Sequence, residues 1–329
     1  MNTSSCSDCL PTAASRRSFL KTSAGLLAGS AMPIMGADPA KATGETLTAQ
    51  LYKSLKPEQR KIVCFGFDDP LRSKVDNNWM IVKQSVAAVF NADQQALVRD
   101  IFHSLHSDEY RKPVYEQVVH DSEGEGFEKG TAVAIFGEPG TGKFEFVLSG
   151  RHVTRRCDGD SVEGAAFGGP IFYGHSVKES EEAAHPGNAY WFQAKRANEV
   201  FAALDGKQRT QAMIEKGRGE QGTETVKLTG KTAGLAGIPL GSLAGDQKDL
   251  VKKMLADLLA PFRKQDAEEA MKLITAGGME ALHMAFAKQG DIGGDGIWDV
   301  WQIEGPNMLW YFRGSPHVHC WVHVKENQG

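Results

Sequence analysis

Histidines alternate with apolar residues along the last predicted strand of the chain. His317, His319 and His323 occupy odd positions in the run 317–324, and valine or cysteine fills the even positions. Because alternate residues of a strand share a face, the histidines line one face and the apolar residues form the other. Two neighbouring imidazoles, as in His317 and His319, have a spacing suited to binding one metal ion. The alternative is that they are solvated on an outer strand face.

A third imidazole can come from a second predicted strand. His152 lies in the segment 149–154, beside Gly150, and we expect the sheet to bring its ring towards His317 and His319. His175 and His323 are less favoured ligands, and His185 is a further candidate. The remaining histidines of the central and C-terminal parts lie in stretches predicted to be helical, without ligand spacing: His103, His106, His120 and His283.

Two charged residues are the candidates for a catalytic role beside the metal. Glu304 is predicted to end a strand and could supply a carboxylate to the metal or to one of its ligands. Arg151 directly precedes His152. Three protein ligands with one open position are typical of catalytic zinc sites, whereas structural sites usually have four ligands.

The leading hypothesis is therefore an exported metalloenzyme. Zinc would indicate a hydrolase, since it acidifies a bound water, whereas iron or copper would indicate an oxidoreductase. The substrate would be a small molecule, and Trp310, Tyr311 and Trp321 could stack on a sugar or aromatic ring or simply pack in the core. One alternative is a periplasmic small-molecule-binding module without catalysis. Another is a metal-free hydrolase with His152 as base, which is less favoured because no Gly-x-Ser-x-Gly motif is present.

One glycine-rich segment resembles a phosphate-binding loop. The run 137–143, Gly-Glu-Pro-Gly-Thr-Gly-Lys, follows an apolar stretch, but Phe144 stands where the motif needs Ser or Thr. The residues that follow alternate as in a strand instead of starting a helix. We therefore predict a hairpin turn and no nucleotide site.

The elements that must position these residues come in blocks. Helical periodicity dominates 47–120, strands and turns dominate 131–194, and helices return over 193–215 and 246–289. Four helices are predicted to start with an apolar residue, cap-like residues and a glutamine, and the segment 217–241 is predicted to be a long exposed loop. A three-stranded meander over 297–303, 308–313 and 318–325 closes the chain. Blocks of helices and strands predict an α+β fold with a mostly antiparallel sheet.

The N-terminus carries an export signal. Residues 15–21, Ser-Arg-Arg-Ser-Phe-Leu-Lys, match a twin-arginine motif, and the apolar stretch behind it is too short for a membrane span. We predict a signal peptide over 1–42, a single domain over 43–329, recognition by the twin-arginine export machinery, and a periplasmic or secreted protein with no membrane span after cleavage. This route carries folded proteins, which favours a cofactor loaded before export. The formal net charge of −4 disfavours nucleic acid as a partner.

The same motifs resemble a bacterial family catalogued as domain of unknown function 3500. The matching segments extend over most of the predicted mature chain: 68–72, 136–139, 149–152, 169–174, 204–208, 304–306 and 317–319. The family usually has Gly-His-His where this chain has Gly150, Arg151 and His152, so only His152 carries over. The family supplies no activity, and the resemblance therefore supports the choice of residues and leaves the reaction open.

Overall fold

The computed structural model describes residues 42–175, 188–289 and 298–327. Its α-helices are α1 Gly44–Ser54, α2 Pro57–Val63, α3 Val86–Val89, α4 Ala92–Ser104, α5 Arg111–Asp121, α6 Phe127–Gly130, α7 Phe192–Ala203, α8 Gly206–Ala212, α9 Gly245–Leu259 and α10 Lys264–Ala276. Short 3-10 helices are Pro70–Ser73, Ala166–Gly168, Gly222–Val226, Leu240–Ser242 and Met279–Ala281.

The strands are β1 Cys64–Phe65, β2 Thr131–Gly137, β3 Phe144–Gly150, β4 Val153–Cys157, β5 Ile171–His175, β6 Met213–Ile214, β7 Ile238–Pro239, β8 His283–Ala287, β9 Val300–Gly305, β10 Met308–Arg313 and β11 Val318–Val324. They form one sheet in the order β1-β2-β3-β4-β5-β11-β10-β9-β8-β6, with β7 paired to β8. The β1–β2 and β6–β8 pairs are parallel and the other pairs are antiparallel. The predicted α+β fold and the closing meander are confirmed.

The pattern of parallel and antiparallel strands is the same when it is followed inwards from either edge of the sheet. A two-residue strand parallel to its neighbour is followed by four antiparallel strands, β2–β5 in one half and β8–β11 in the other, and the halves meet at β5 and β11. The predicted helix starts follow the same division. In the first half, Gln59 and Gln94 cap the N-termini of α2 and α4, and their side chains are hydrogen-bonded to each other. In the second half, Gln208 and Gln247 cap α8 and α9 and are hydrogen-bonded in the same way. The chain thus builds two similar halves around the junction of β5 and β11.

The two faces of the sheet are covered differently. Helices pack on one face, where side chains such as Phe146, Tyr173 and Val322 join residues of α1, α4, α7, α9 and α10 in a large apolar core. The other face carries smaller apolar clusters and is covered by irregular segments, which contribute Val75 and Val226. The face with irregular cover is the one that holds His319, because His319 alternates with the core residues Val318 and Cys320.

Three local predictions need correction. The segment 283–287, predicted as helix, is strand β8; its apolar run of four residues after His283 is too short to be assigned by periodicity alone. His152 lies in the turn between β3 and β4 and not within a strand. The predicted loop 217–241 is not simply exposed, because Thr225 and Val226 are buried against the sheet.

Two other predictions have clear outcomes. The glycine-rich run after β2 is a hairpin turn, since Gly137 pairs with Phe144 at its base. None of the described helices combines the length and hydrophobicity needed to cross a membrane. The twin-arginine segment lies outside the described residues, and the export signal stays a prediction.

Candidate metal centre

Three imidazole rings converge at one end of the sheet. The Nε2 atom of His319 lies 3.0 Å from Nε2 of His152 and 2.9 Å from Nε2 of His317. Each of the three residues offers one ring nitrogen, and these nitrogens all lie within 4.8 Å of one another. His152 and His319 are buried and His317 is partly exposed, so the group reaches the protein surface through His317.

The junction of the two halves of the sheet brings these rings together. His319 is paired with Gly174 across β11 and β5, and the backbone N–H of Gly174 donates to the carbonyl oxygen of His152 at 3.1 Å. A Cβ atom at position 174 would lie 2.1 Å from the Val318 carbonyl oxygen and 3.3 Å from Cδ2 of His152. Only glycine therefore allows β5 to approach both His152 and β11 this closely.

Two carboxylates fix the orientation of two of the rings. Nδ1 of His152 is hydrogen-bonded to Asp121, the last residue of α5, and Nδ1 of His319 lies 2.6 Å from Oε2 of Glu220 and 2.5 Å from Nη2 of Arg313. Arg313 holds Glu220 in turn, with 2.6 Å between Nε and Oε1. A neutral imidazole that donates through Nδ1 presents a lone pair at Nε2. Carboxylate–histidine pairs of this kind orient the ligands of metal sites and raise their basicity.

The surroundings of His317 and His319 disfavour the protonated, charged form of their rings. Burial lowers the pKa of His317 to about 3, and the neighbouring imidazoles add to this effect. Burial also lowers the pKa of His319, to about 4, although Glu220 opposes the shift. Burial alone would raise the pKa of Glu220, but His319 and Arg313 bring it down to about 2, so that this carboxylate is ionised. His317 and His319 are therefore neutral and able to act as metal ligands near neutral pH.

The Nε2 atoms of His152 and His319 lie 3.0 Å apart, close enough to share one cation. A ring protonated at Nε2 could donate to the other ring across this contact. When both rings carry their proton at Nδ1, beside the carboxylates, the two Nε2 lone pairs face each other and a divalent cation would accept both. Nitrogen ligands of a tetrahedral zinc ion lie about 3.3 Å apart, given Zn–N bonds of about 2.0–2.1 Å. The two Nε2–Nε2 distances from His319, 3.0 Å to His152 and 2.9 Å to His317, are close to that value. The donor set of three imidazoles suits zinc, copper or iron.

The less favoured histidines lie away from this group. His175 pairs with Val318, so its side chain lies on the helix-covered face, where Nδ1 contacts the side-chain amide of Gln117. His323 shares the face of His319, but it lies four residues further along β11, and its Nδ1 donates to the carbonyl oxygen of Val226 at 2.9 Å. His185 lies outside the described residues.

The two candidate catalytic residues are also apart from the three rings. Glu304 is the last residue but one of β9, at the opposite end of the sheet, where it is buried and forms an ion pair with Arg218. Arg151 lies beside His152 in the β3–β4 turn, and its guanidinium pairs with Glu123. Arg151 is therefore the closer of the two to the candidate centre.

The three aromatic residues considered for stacking on a ligand are not at the surface. Trp310 lies on the helix-covered face, Tyr311 and Trp321 lie on the other, and all three side chains are buried in apolar clusters. Of the two roles considered for these residues, the structure shows packing in the core. Phe172 is the aromatic residue that lies against the histidines, with its ring centroid 5.2 Å from that of His319.

Sequence reasoning missed Asp121, Glu220 and Arg313. Asp121 and Glu220 lie far from their histidine partners along the chain, and no spacing rule links them. Arg313 is paired directly with His319 across β10 and β11, so the predicted meander could have placed it near that histidine. The less favoured hypothesis of a histidine base gains its acidic partner in Asp121. It lacks a nucleophile at Ser149, whose buried hydroxyl oxygen accepts a hydrogen bond from the N–H of Ile81 at 2.7 Å.

One comparison with known proteins gives a match. The model of a family described as protein of unknown function (DUF3500) matches residues 38–327, which is nearly the whole chain. The comparisons with curated proteins and with solved structures give no significant match. The resemblance inferred from the short motifs is confirmed.

Proposed function

The chain belongs to the DUF3500 family, and we propose that it is an exported metalloenzyme with one divalent transition-metal ion bound to His152, His317 and His319. The observation that carries this proposal is the convergence of three ring nitrogens, two of them on rings held by Asp121 and Glu220. A chance cluster of surface histidines would need neither the shared end of the sheet nor the two carboxylates, of which Asp121 is buried and Glu220 is partly buried.

The proposed site has room for chemistry beyond holding the ion. Three protein ligands leave a coordination position for water or substrate, as in catalytic zinc sites. His317 is the partly exposed member of the group, which supports an open position on its side. With zinc, the ion would lower the pKa of a bound water and support hydrolysis; with iron or copper, the same ligands would support oxidation.

The twin-arginine motif at residues 15–21 adds independent support. This export route carries proteins across the membrane after they have folded, which suits a metal loaded inside the cell. The protein would then act in the periplasm or outside the cell. A periplasmic small-molecule-binding module without catalysis is the competing function, and measurements of turnover on the metal-loaded protein would separate the two.

The test is metal content per chain. Protein recovered after export should contain about one zinc, copper or iron ion per chain by mass spectrometry of the elements. His152→Ala and His319→Ala should lose it, whereas His323→Gln should keep it, because His323 shares the strand and the face but not the group. A wild-type protein that takes up none of these metals on reconstitution, or a His152→Ala/His319→Ala double variant that keeps its metal, would refute the proposal.

A further inference from the structure

A cleft opens beside the candidate metal centre. It has a volume of about 500 Å³ and lies between the segment of Trp79 and Met80 and the stretch that runs from the end of α5 to α6. Binding sites for small molecules commonly have volumes of about 300–1,000 Å³. The size of the cleft therefore suits a ligand of one or two rings.

A second cavity lies beside the cleft and is lined in part by His152. This cavity holds about 10 Å³, roughly the space of one water, and lies against His152 and Gly174. The two cavities share the lining residues Asp121, Ser122, Gly130 and Arg151. A ligand in the cleft would therefore lie next to the layer of residues that holds the first histidine.

One wall of the cleft is apolar. Met80 is 40% exposed, and it is the exposed large hydrophobic side chain in the part of the chain that the structure describes. Trp79 beside it is partly exposed, and its Nε1 donates to the hydroxyl of Thr154 at 3.0 Å. This hydrogen bond holds the indole ring in place as a platform for a flat apolar surface.

The opposite wall carries two ion pairs and one further acid, Asp121, which is hydrogen-bonded to His152. Arg151 pairs with Glu123, and Nζ of Lys129 lies 3.4 Å from Oε2 of Glu125. A ligand with a net charge would have to compete with one of these ion pairs. Hydroxyl groups, by contrast, can accept from the cations and donate to the carboxylates while the pairs remain.

We propose that this cleft binds a neutral polyhydroxylated ligand of the sugar type, with one ring face on Trp79 and hydroxyls bonded by Glu123 and Arg151. The inference goes beyond the proposed function, because it assigns a ligand to the cleft behind Asp121 and His152, whereas the proposed open position of the metal ion lies on the side of His317.

The test uses zinc-loaded protein and titrates it with methyl β-glucoside, methyl β-galactoside, cellobiose and, as anions, glucuronate and benzoate. At least one neutral sugar should bind saturably by calorimetry and change the tryptophan fluorescence. Trp79→Ala should weaken this binding about tenfold, the upper end of the free energy of an aromatic contact. Glu123→Gln should weaken it several-fold with the fold unchanged, because its side chain is 62% exposed. Glu116→Gln, an exposed acid on α5 outside the cleft, is the matched control.

The outcomes separate the two proposals because metal content is measured on every sample. Zinc bound without any sugar binding would overturn the cleft proposal and leave the metal centre standing. Binding of benzoate or glucuronate alone, or sugar binding unaffected by both Trp79→Ala and Glu123→Gln, would also overturn it. Sugar binding in a protein that holds no metal would support the cleft and refute the metal centre.

Discussion

His152 and His319 present their Nε2 atoms to each other at 3.0 Å, although 167 positions separate them in the chain. His152 belongs to the first half of the sheet and His319 to the second, and the two meet where β5 pairs with β11. The candidate metal centre is thus a product of the junction between the halves. Its integrity depends on that junction as much as on the histidines.

Metal binding should stabilise the folded protein. A ligand that binds only the native state adds about 2.7 kcal/mol at a free concentration of 100 times its Kd. We expect zinc to raise the Tm by several degrees and a chelator to reverse the change, as followed by scanning calorimetry. His317→Ala should fold, because its ring is partly exposed, and should lose most of the zinc-dependent shift. An equal shift in His317→Ala would exclude this residue as a ligand.

The carboxylates behind the rings should matter for affinity. Asp121→Asn and Glu220→Gln each remove a charge that orients an imidazole, and such changes typically weaken metal binding about 10–100-fold. Competition with a chromophoric chelator measures this affinity directly. Glu116→Gln, on the same helix as Asp121 but exposed, serves as the control. Unchanged affinity in both carboxylate variants would contradict the role of these two charges in holding the rings for the metal ion.

The junction itself can be tested at Gly174. A Cβ at this position would clash with the Val318 carbonyl oxygen at 2.1 Å, so Gly174→Ala must push β5 away from β11. We expect a loss of about 1–3 kcal/mol in the free energy of unfolding, together with loss of the metal. Gly206→Ala is the matched control, because nothing lies within 4 Å of a Cβ there. Denaturant unfolding compares the two, and equal stability would contradict the described contact.

A pH dependence of stability is expected from Asp158. Burial raises its pKa from the ordinary 3.8 to about 7, although the N–H of Val162 donates to Oδ2 at 2.8 Å. Between these two values the folded state holds a proton that the unfolded state has lost. The contribution to stability is therefore complete below about pH 4 and is lost as the pH rises through about 7.

Asp158→Asn should remove this dependence and keep the hydrogen-bond acceptor. Its free energy of unfolding relative to the wild type should rise by roughly 1–4 kcal/mol between pH 4 and pH 8, at about 1.4 kcal/mol per pKa unit. Asp249→Asn, whose carboxylate is 75% exposed, controls for the change of charge. A constant difference across this range would show that the Asp158 carboxyl titrates normally.

Much of the fold could be predicted from local patterns. The final meander follows from alternation and turn residues, and its middle strand, Met308–Arg313, has the predicted bounds. The glutamine helix starts are capping boxes, as their spacing indicates. Strand β8 could not be predicted, because Met284, Ala285 and Phe286 are buried on both faces and show no period. The pairing of β5 with β11 is a long-range contact that no local signal specifies.

The histidines of the site could be predicted from the sequence, but the carboxylates that hold them could not. Alternation placed His317 and His319 on one face, and the choice of His152 rested on an expected approach across the sheet. The turn position of His152 and its partner Asp121 depend on how α5 ends against the sheet. Glu220 lies in a segment predicted to be an exposed loop, and only its tertiary contact with Arg313 and His319 gives it a role.

The most direct measurement of the central claim is X-ray diffraction from crystals soaked in zinc, with data collected at the zinc absorption edge. The account predicts one strong anomalous peak about 2.0–2.1 Å from a ring nitrogen of each of His152, His317 and His319. A peak at other residues, or no peak at these three rings in fully folded protein, would contradict it.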